Sequence, residues 1–258
     1  MIDIGVNLTN KRFDNDYQEI ISNAVTAGIK ALIITGTNLE HTKKAIGLCE
    51  RFSNMYCTAG IHPHDASSLN ADSFAAITSL AAHEKVVAIG ETGLDFNRNF
   101  SSKDQQISAF EKQIELAITT QKPLFLHERD AFKEQYSILK NNHKDLSGAV
   151  VHCFTGDTKA LESYLELNFH IGITGWVCDE RRGIELQSLV KTIPDDKLLI
   201  ETDAPYLTPR TLSGKAKKSK NQPANLIHIA QFIAHLRQQS VNHITNTTTA
   251  NARHLFCI

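Results

Sequence analysis

The sequence predicts an α/β fold closed into a TIM (β/α)8 barrel, and three features predict it. Short apolar runs alternate with amphipathic helical patterns, several of those runs are apolar on both strand faces, and no glycine-rich phosphate loop follows the first run. Alternating strands and helices build a parallel sheet. Parallel strands buried on both faces read as continuous apolar runs. A doubly wound open sheet usually carries a glycine-rich turn after its first strand, and none follows Leu8. The length of 258 residues suits one such barrel, and no linker, repeat or low-complexity block divides it, so residues 1–258 are expected to form a single domain.

The eight expected strands are Met1–Leu8, Lys30–Thr35, Met55–Gly60, Val86–Gly90, Pro123–His127, Gly148–His152, Phe169–Ile173 and Leu198–Glu201. Helical patterns lie between them. Tyr17, Ile20, Ile21, Ala24 and Val25 recur at helical spacing, with Gly28 placed to cap the C-terminus. Ile107, Phe110, Ile114, Ala117 and Ile118 form a second stripe, opened by a Ser102/Gln105 capping box. Leu226, Ile229, Ile233 and Leu236 form another. The longest stretch without periodicity, residues 202–224, follows the last strand, and such long loops in compact domains usually serve function.

A net charge of −1 provides no global field for polyanions, so any nucleic-acid contact must come from a local basic patch. Five widely spaced cysteines without a C-x-x-C pair argue against a disulfide framework or a structural zinc site. No signal segment opens the chain and no apolar run approaches a membrane span, so a cytoplasmic protein is expected. With no heptad or obvious interface stripe, the expected state is a monomer.

Chemistry concentrates at the carboxyl ends of the expected strands, where barrel active sites are built. Glu91 follows the fourth strand, His127 and His152 end the fifth and sixth, and Asp203 follows the eighth. Two imidazoles and two carboxylates aimed into one mouth suit a divalent cation. Magnesium is the expected ion, with manganese and zinc as alternatives and one or two ions bound. Such an ion polarises a phosphoryl oxygen and acidifies water. In this reading Glu91, His127 and His152 form the ligand set, and Asp203 is a further ligand or the general base. His62, in Ile61-His62-Pro63-His64-Asp65, is assigned to phosphate or substrate, and His64 either shares that role or stabilises its loop. Arg129 is a candidate phosphate clamp, with a salt bridge to Asp130 as the alternative. The late loop carries Arg210, Lys215, Lys217, Lys218 and Lys220 with no acid between residues 204 and 224, a candidate phosphate-backbone surface. Phe96, Phe100, Trp176 and Tyr206 fall on loops at the same end and are candidates for stacking on unpaired bases. Glu201 shares the side of Asp203 if strand alternation persists, and could orient a ligand.

These stretches resemble the TatD family of metal-dependent nucleases. The matching segments are Gly60-Ile-His62-Pro-His64, Ile89-Gly-Glu91-Thr-Gly-Leu-Asp95-Phe, Pro123-Leu-Phe-Leu-His127, His152-Cys-Phe-Thr-Gly156 and Leu199-Ile-Glu201-Thr-Asp203-Ala-Pro205-Tyr. Val6-Asn7-Leu8-Thr9 and the segment Gly172–Gly183 narrow the resemblance to the branch that gives the family its name. The resemblance implies a metallo-dependent hydrolase barrel, a divalent metal, and 3′–5′ exonuclease action on single-stranded DNA or RNA. A part in DNA repair or degradation follows from it. Many family members carry Asp-x-His-x-His on the first strand, whereas this chain reads Asp3-Ile-Gly5-Val-Asn7. Related barrels hydrolyse amides or esters with similar ligands, and a barrel can also bind without catalysis, so fold alone leaves these alternatives open.

Overall fold

The computed structural model describes residues 1–214 and 219–258. Lys215, Lys217 and Lys218 lie outside the described residues. The strands are β1 (Ile2–Val6), β2 (Ala31–Ile34), β3 (Met55–Ala59), β4 (Val86–Asp95), β5 (Leu124–Arg129), β6 (Ala149–Val151), β7 (His170–Ile173) and β8 (Leu198–Ile200). All are parallel and paired in chain order. The ring is closed by the segment after β8: Asn7 N–H donates to Ala204 O at 2.8 Å and Asp203 N–H to Gly5 O at 2.9 Å.

The α-helices are α1 (Tyr17–Thr26), α2 (Leu39–Cys49), α3 (Ala71–Ala81), α4 (Lys103–Thr120), α5 (Phe132–Asn142), α6 (Thr158–Glu166), α7 (Ile184–Leu189), α8 (Leu226–Arg237) and α9 (Val241–Phe256). Helix α1 ends as its sequence indicates: Gly28, at φ 84°, donates its N–H to Val25 O, and Ile29 N–H returns to Ala24 O. Its apolar face is narrower than the spacing implies, because Ile20, Ile21 and Ala24 are buried while Val25 is 56% exposed. Helix α4 opens with the Ser102/Gln105 capping box, its two side chains each taking the other's backbone N–H. All five cysteines are free thiols. Among the described residues no helix is long and apolar enough to cross a membrane.

Strand β4 differs most from its expected bounds. It runs five residues beyond Gly90 and is buried throughout. Glu91 therefore sits inside the strand rather than after it. The polar and small residues Glu91-Thr-Gly93 hide the continuation from a hydrophobicity pattern, although β5 pairs with it up to Asp95↔Arg129.

Candidate metal centre

Parity along the strands delivers the functional side chains. Phe125, Val150 and Leu199 belong to one buried cluster. Side chains alternate along a strand, so His127, His152 and Glu201, each two residues further on, extend toward the barrel mouth on the same side. The Phe125 ring stacks under His152 at 4.7 Å between centroids. Glu91 arrives differently. The register of β4 against β5 shifts between Gly90 and Thr92, a bulge that re-aims the side chain, and Glu91 N–H turns away to donate to Gly36 O at 2.7 Å.

Three imidazoles meet one oxygen of Glu91. His152 Nε2 lies 2.9 Å, His127 Nδ1 3.0 Å and His62 Nε2 3.2 Å from Oε1. His62 is not beside the cluster but within it: ligating atoms of His62, Glu91 and His127 all fall within 4.8 Å of one another. Behind this group stand two more carboxylates. Asp95 Oδ2 faces His127 Nε2 at 3.3 Å and His64 Nε2 at 2.7 Å. Glu201 Oε2 faces His152 Nδ1 at 3.3 Å, while its Oε1 accepts Cys153 N–H.

Burial opposes charge on Glu91, but the charges of His152 and His62 and the hydrogen bonds from His127 and His152 outweigh it and hold the carboxyl well below its usual range. Burial likewise opposes charge on His152, and Glu91 and Glu201 overcome it, raising that imidazole well above its ordinary value. His62 goes the other way, lowered chiefly by burial. A buried carboxylate with imidazole nitrogens aimed at one oxygen is the donor set a divalent cation takes, with metal replacing the protons that now satisfy these nitrogens. The residues present therefore fit a divalent metal site, and carboxylates behind metal-binding histidines are the usual support.

Asp203 lies at the mouth with φ 52°, a conformation aspartate tolerates better than most side chains. Its Oδ1 accepts from Asn7 Nδ2 at 2.8 Å. Burial, offset by His152 and reinforced by Glu91 and Glu201, pushes its carboxyl up to about 7. Glu91, the three histidines of the cluster and Asp203 line one open cavity of about 1240 Å³.

The remaining sequence-derived candidates divide. His64 reaches the cavity but is hydrogen-bonded to Asp95. Arg129 is exposed at the end of β5 and lines the cavity; it makes no salt bridge to Asp130, which accepts from Asn97 Nδ2 at 2.7 Å. The late loop is less free than its composition suggests. Arg210 pairs with Glu180 at 3.1 Å and Lys220 with Asp16 at 2.6 Å, acids supplied by distant segments. Asp95 had no role assigned from sequence. Its spacing of four from Glu91, same-side spacing on a strand, was the available signal, concealed by the early expected end of β4.

A closed parallel barrel with a histidine–carboxylate cluster at the carboxyl ends of its strands is the construction of a metal-dependent hydrolase. Residues 2–257 match the family model described as TatD related DNase, and the chain belongs to that family. It is 50% identical over 258 residues to the 3′-5′ ssDNA/RNA exonuclease TatD of Citrobacter rodentium, covering 100% of this chain and 98% of that one. Against the protein of the same description from Escherichia coli the identity is 48%, covering 100% and 99%. Among solved structures, a TatD-family hydrolase of Entamoeba histolytica superposes with a TM-score of 0.90 at 28% identity, covering 99% of this chain and 97% of that one.

Proposed function

We propose that this chain is a divalent-metal-dependent 3′–5′ exonuclease acting on single-stranded DNA or RNA. The observation that carries the chemistry is the convergence of three imidazole nitrogens on Glu91 Oε1 at 2.9–3.2 Å inside a wide, open cavity. The full-length similarity to proteins described as 3′-5′ ssDNA/RNA exonucleases carries the substrate class.

Glu91, His127 and His152 would hold the cation, with His62 placed to join them. When bound, the ion supplies a Lewis acid for a phosphoryl oxygen and acidifies a water. The imidazole-rich set suits manganese or zinc; magnesium, which prefers carboxylate and water, is served by Glu91, Asp203 and the open cavity. Asp203 is the general base, a carboxylate at the mouth of the same cavity as Glu91, His127 and His152. Asn7 fixes the orientation of that carboxylate by donating to Oδ1. Arg129 neutralises phosphate charge at the rim. His64, tied to Asp95, shapes the wall beside the cluster. Lys215, Lys217 and Lys218 belong to the same reading as contacts to the nucleic-acid backbone. A part in DNA repair or degradation is consistent with it.

Incubating a 5′-labelled single strand with magnesium or manganese tests the reading. Wild type should shorten it progressively from the 3′ end, and Asp203→Ala and His127→Ala should each lose at least ~100-fold in rate, as expected for a missing acid–base or metal-binding group. Equal digestion by both variants would discard the site. An intact strand alongside rapid turnover of small amides or esters would discard the substrate class.

A further inference from the structure

Phe100 is the most exposed of the large hydrophobic side chains among the described residues, at 69%. The backbone around it is firmly held. Ser101, its neighbour, is 2% exposed, takes Ser67 N–H on its Oγ at 3.0 Å and donates to His64 O at 3.0 Å. On the other side, Asp95 Oδ1 accepts the N–H groups of Asn97 and Arg98 at 3.0 and 2.8 Å. Asn99, at φ 49°, donates from Nδ2 to Phe96 O. Ser102 then caps α4. A turn pinned at this many points cannot easily fold its apolar tip away from water, so the ring stands outward on a rigid base.

That ring lines the same cavity as the histidine–carboxylate cluster. Phe100 meets His64 edge-on at 4.8 Å between centroids, and His64 meets His62 edge-on at 4.3 Å. Arg98 and Arg129 line the same cavity, and no side-chain hydrogen bond or ion pair to either is found among the described residues. Of the other aromatics at this end, Phe96 lies under the Lys103 ammonium at 4.3 Å and Trp176 under the Arg182 guanidinium at 4.7 Å, while Tyr206 is less exposed, at 46%, and its hydroxyl accepts from Asn10 Nδ2 at 2.8 Å. An exposed aromatic ring that shares one cavity with two cations and with the histidine–carboxylate cluster matches the two halves of a nucleotide: a flat apolar base and an anionic backbone.

We propose that Phe100 is a stacking platform for the unpaired nucleobase next to the phosphate being cut, an inference that rests on the nuclease reading above. Stacking on an aromatic face is available to every base, so the platform imposes no sequence code. A base within a duplex is already paired and stacked between neighbours, and reaching Phe100 would require taking it out of the helix. The platform therefore supplies a physical preference for unpaired ends.

Equilibrium binding of a 5′-fluorescein-labelled single strand, read by anisotropy in EDTA, tests this without hydrolysis. The strand is compared with one of the same length whose 3′-terminal nucleotides are abasic. Phe100→Ala should weaken binding of the base-bearing strand by ~5- to 150-fold, the range that stacking of one base supports. Phe100→Trp should restore it, and the abasic strand should bind wild type and Phe100→Ala alike. Equal affinity of both proteins for the base-bearing strand overturns the platform. So does an equal loss on the abasic strand, which would trace the effect to a disturbed His64. A wild type that shows the stacking pattern yet hydrolyses neither strand when metal is restored sinks the nuclease reading and leaves the platform standing.

Discussion

Glu201 fills the space that Gly5 leaves. A Cβ placed on Gly5 would lie 2.1 Å from Glu201 Oε2, and one on Gly172 would lie 2.7 Å from Oε1. The carboxylate is fully buried in this slot between β1 and β7 and bears on His152 Nδ1. Gly5 thus has a structural consequence: no side chain fits at position 5 while Glu201 holds its place.

Gly5→Ala should therefore displace Glu201 and unsettle His152. Overpacking of this kind costs about 1–3 kcal/mol, read as a lower urea midpoint, with weaker manganese binding by calorimetry. Glu201→Gln keeps the volume but removes the anion behind His152; its metal affinity should fall ~10- to 100-fold with the fold intact. Wild-type metal affinity in both variants would show that Glu201 does not act through His152.

Asp95→Asn tests the second supporting carboxylate. Asparagine retains an oxygen for the N–H groups of Asn97 and Arg98 but loses the charge facing His127 and His64. Metal affinity should drop ~10- to 100-fold, again from weakened support of a ligand. Calorimetry on the variant checks it, and circular dichroism should report an unchanged fold.

Far from the mouth, His170 at the start of β7 gives a pH signature. Burial, aided by the nearby Lys197 charge, lowers its imidazole to about 4, and its Nδ1 has no hydrogen-bond partner among the described residues. The folded state therefore binds fewer protons than the unfolded chain between about 4 and about 6.5. Its contribution is fully present above 6.5 and is lost as pH falls toward 4, up to about 3 kcal/mol. His170→Gln should flatten the stability curve in that window, measured by urea unfolding at stepped pH. An identical slope in wild type and variant would exclude His170 as its source.

Metal should stabilise the native chain as well as activate it. EDTA should abolish hydrolysis, and manganese at ~100 times its Kd should add about 2.7 kcal/mol of apparent stability, seen as a higher Tm. Glu91→Gln should remove most of that shift. A full shift in this variant would place the stabilising ion elsewhere.

Much of this architecture was legible in the chain itself. Continuous apolar runs at Ala31–Ile34, Leu124–Leu126 and Leu198–Ile200 mark strands buried on both faces, and Gly28 and Ser102 punctuate helices through local backbone geometry. The late loop was less legible. Arg210 and Lys220 have no acid near them in sequence, yet Glu180 and Asp16 reach them in space.

By itself the sequence determined the alternation of strands and helices, and hence a parallel barrel with His127 and His152 at the carboxyl ends of its fifth and sixth strands. These are consequences of local periodicity, carried by neighbours along the chain. Tertiary structure alone decided that β4 bulges at Glu91, that His62 joins the cluster, that Asp95 supports His127, and that Glu201 occupies the hollow at Gly5. Each of these is a distance of a few ångströms between residues far apart in sequence, and such distances exist only once the barrel has closed and set its register.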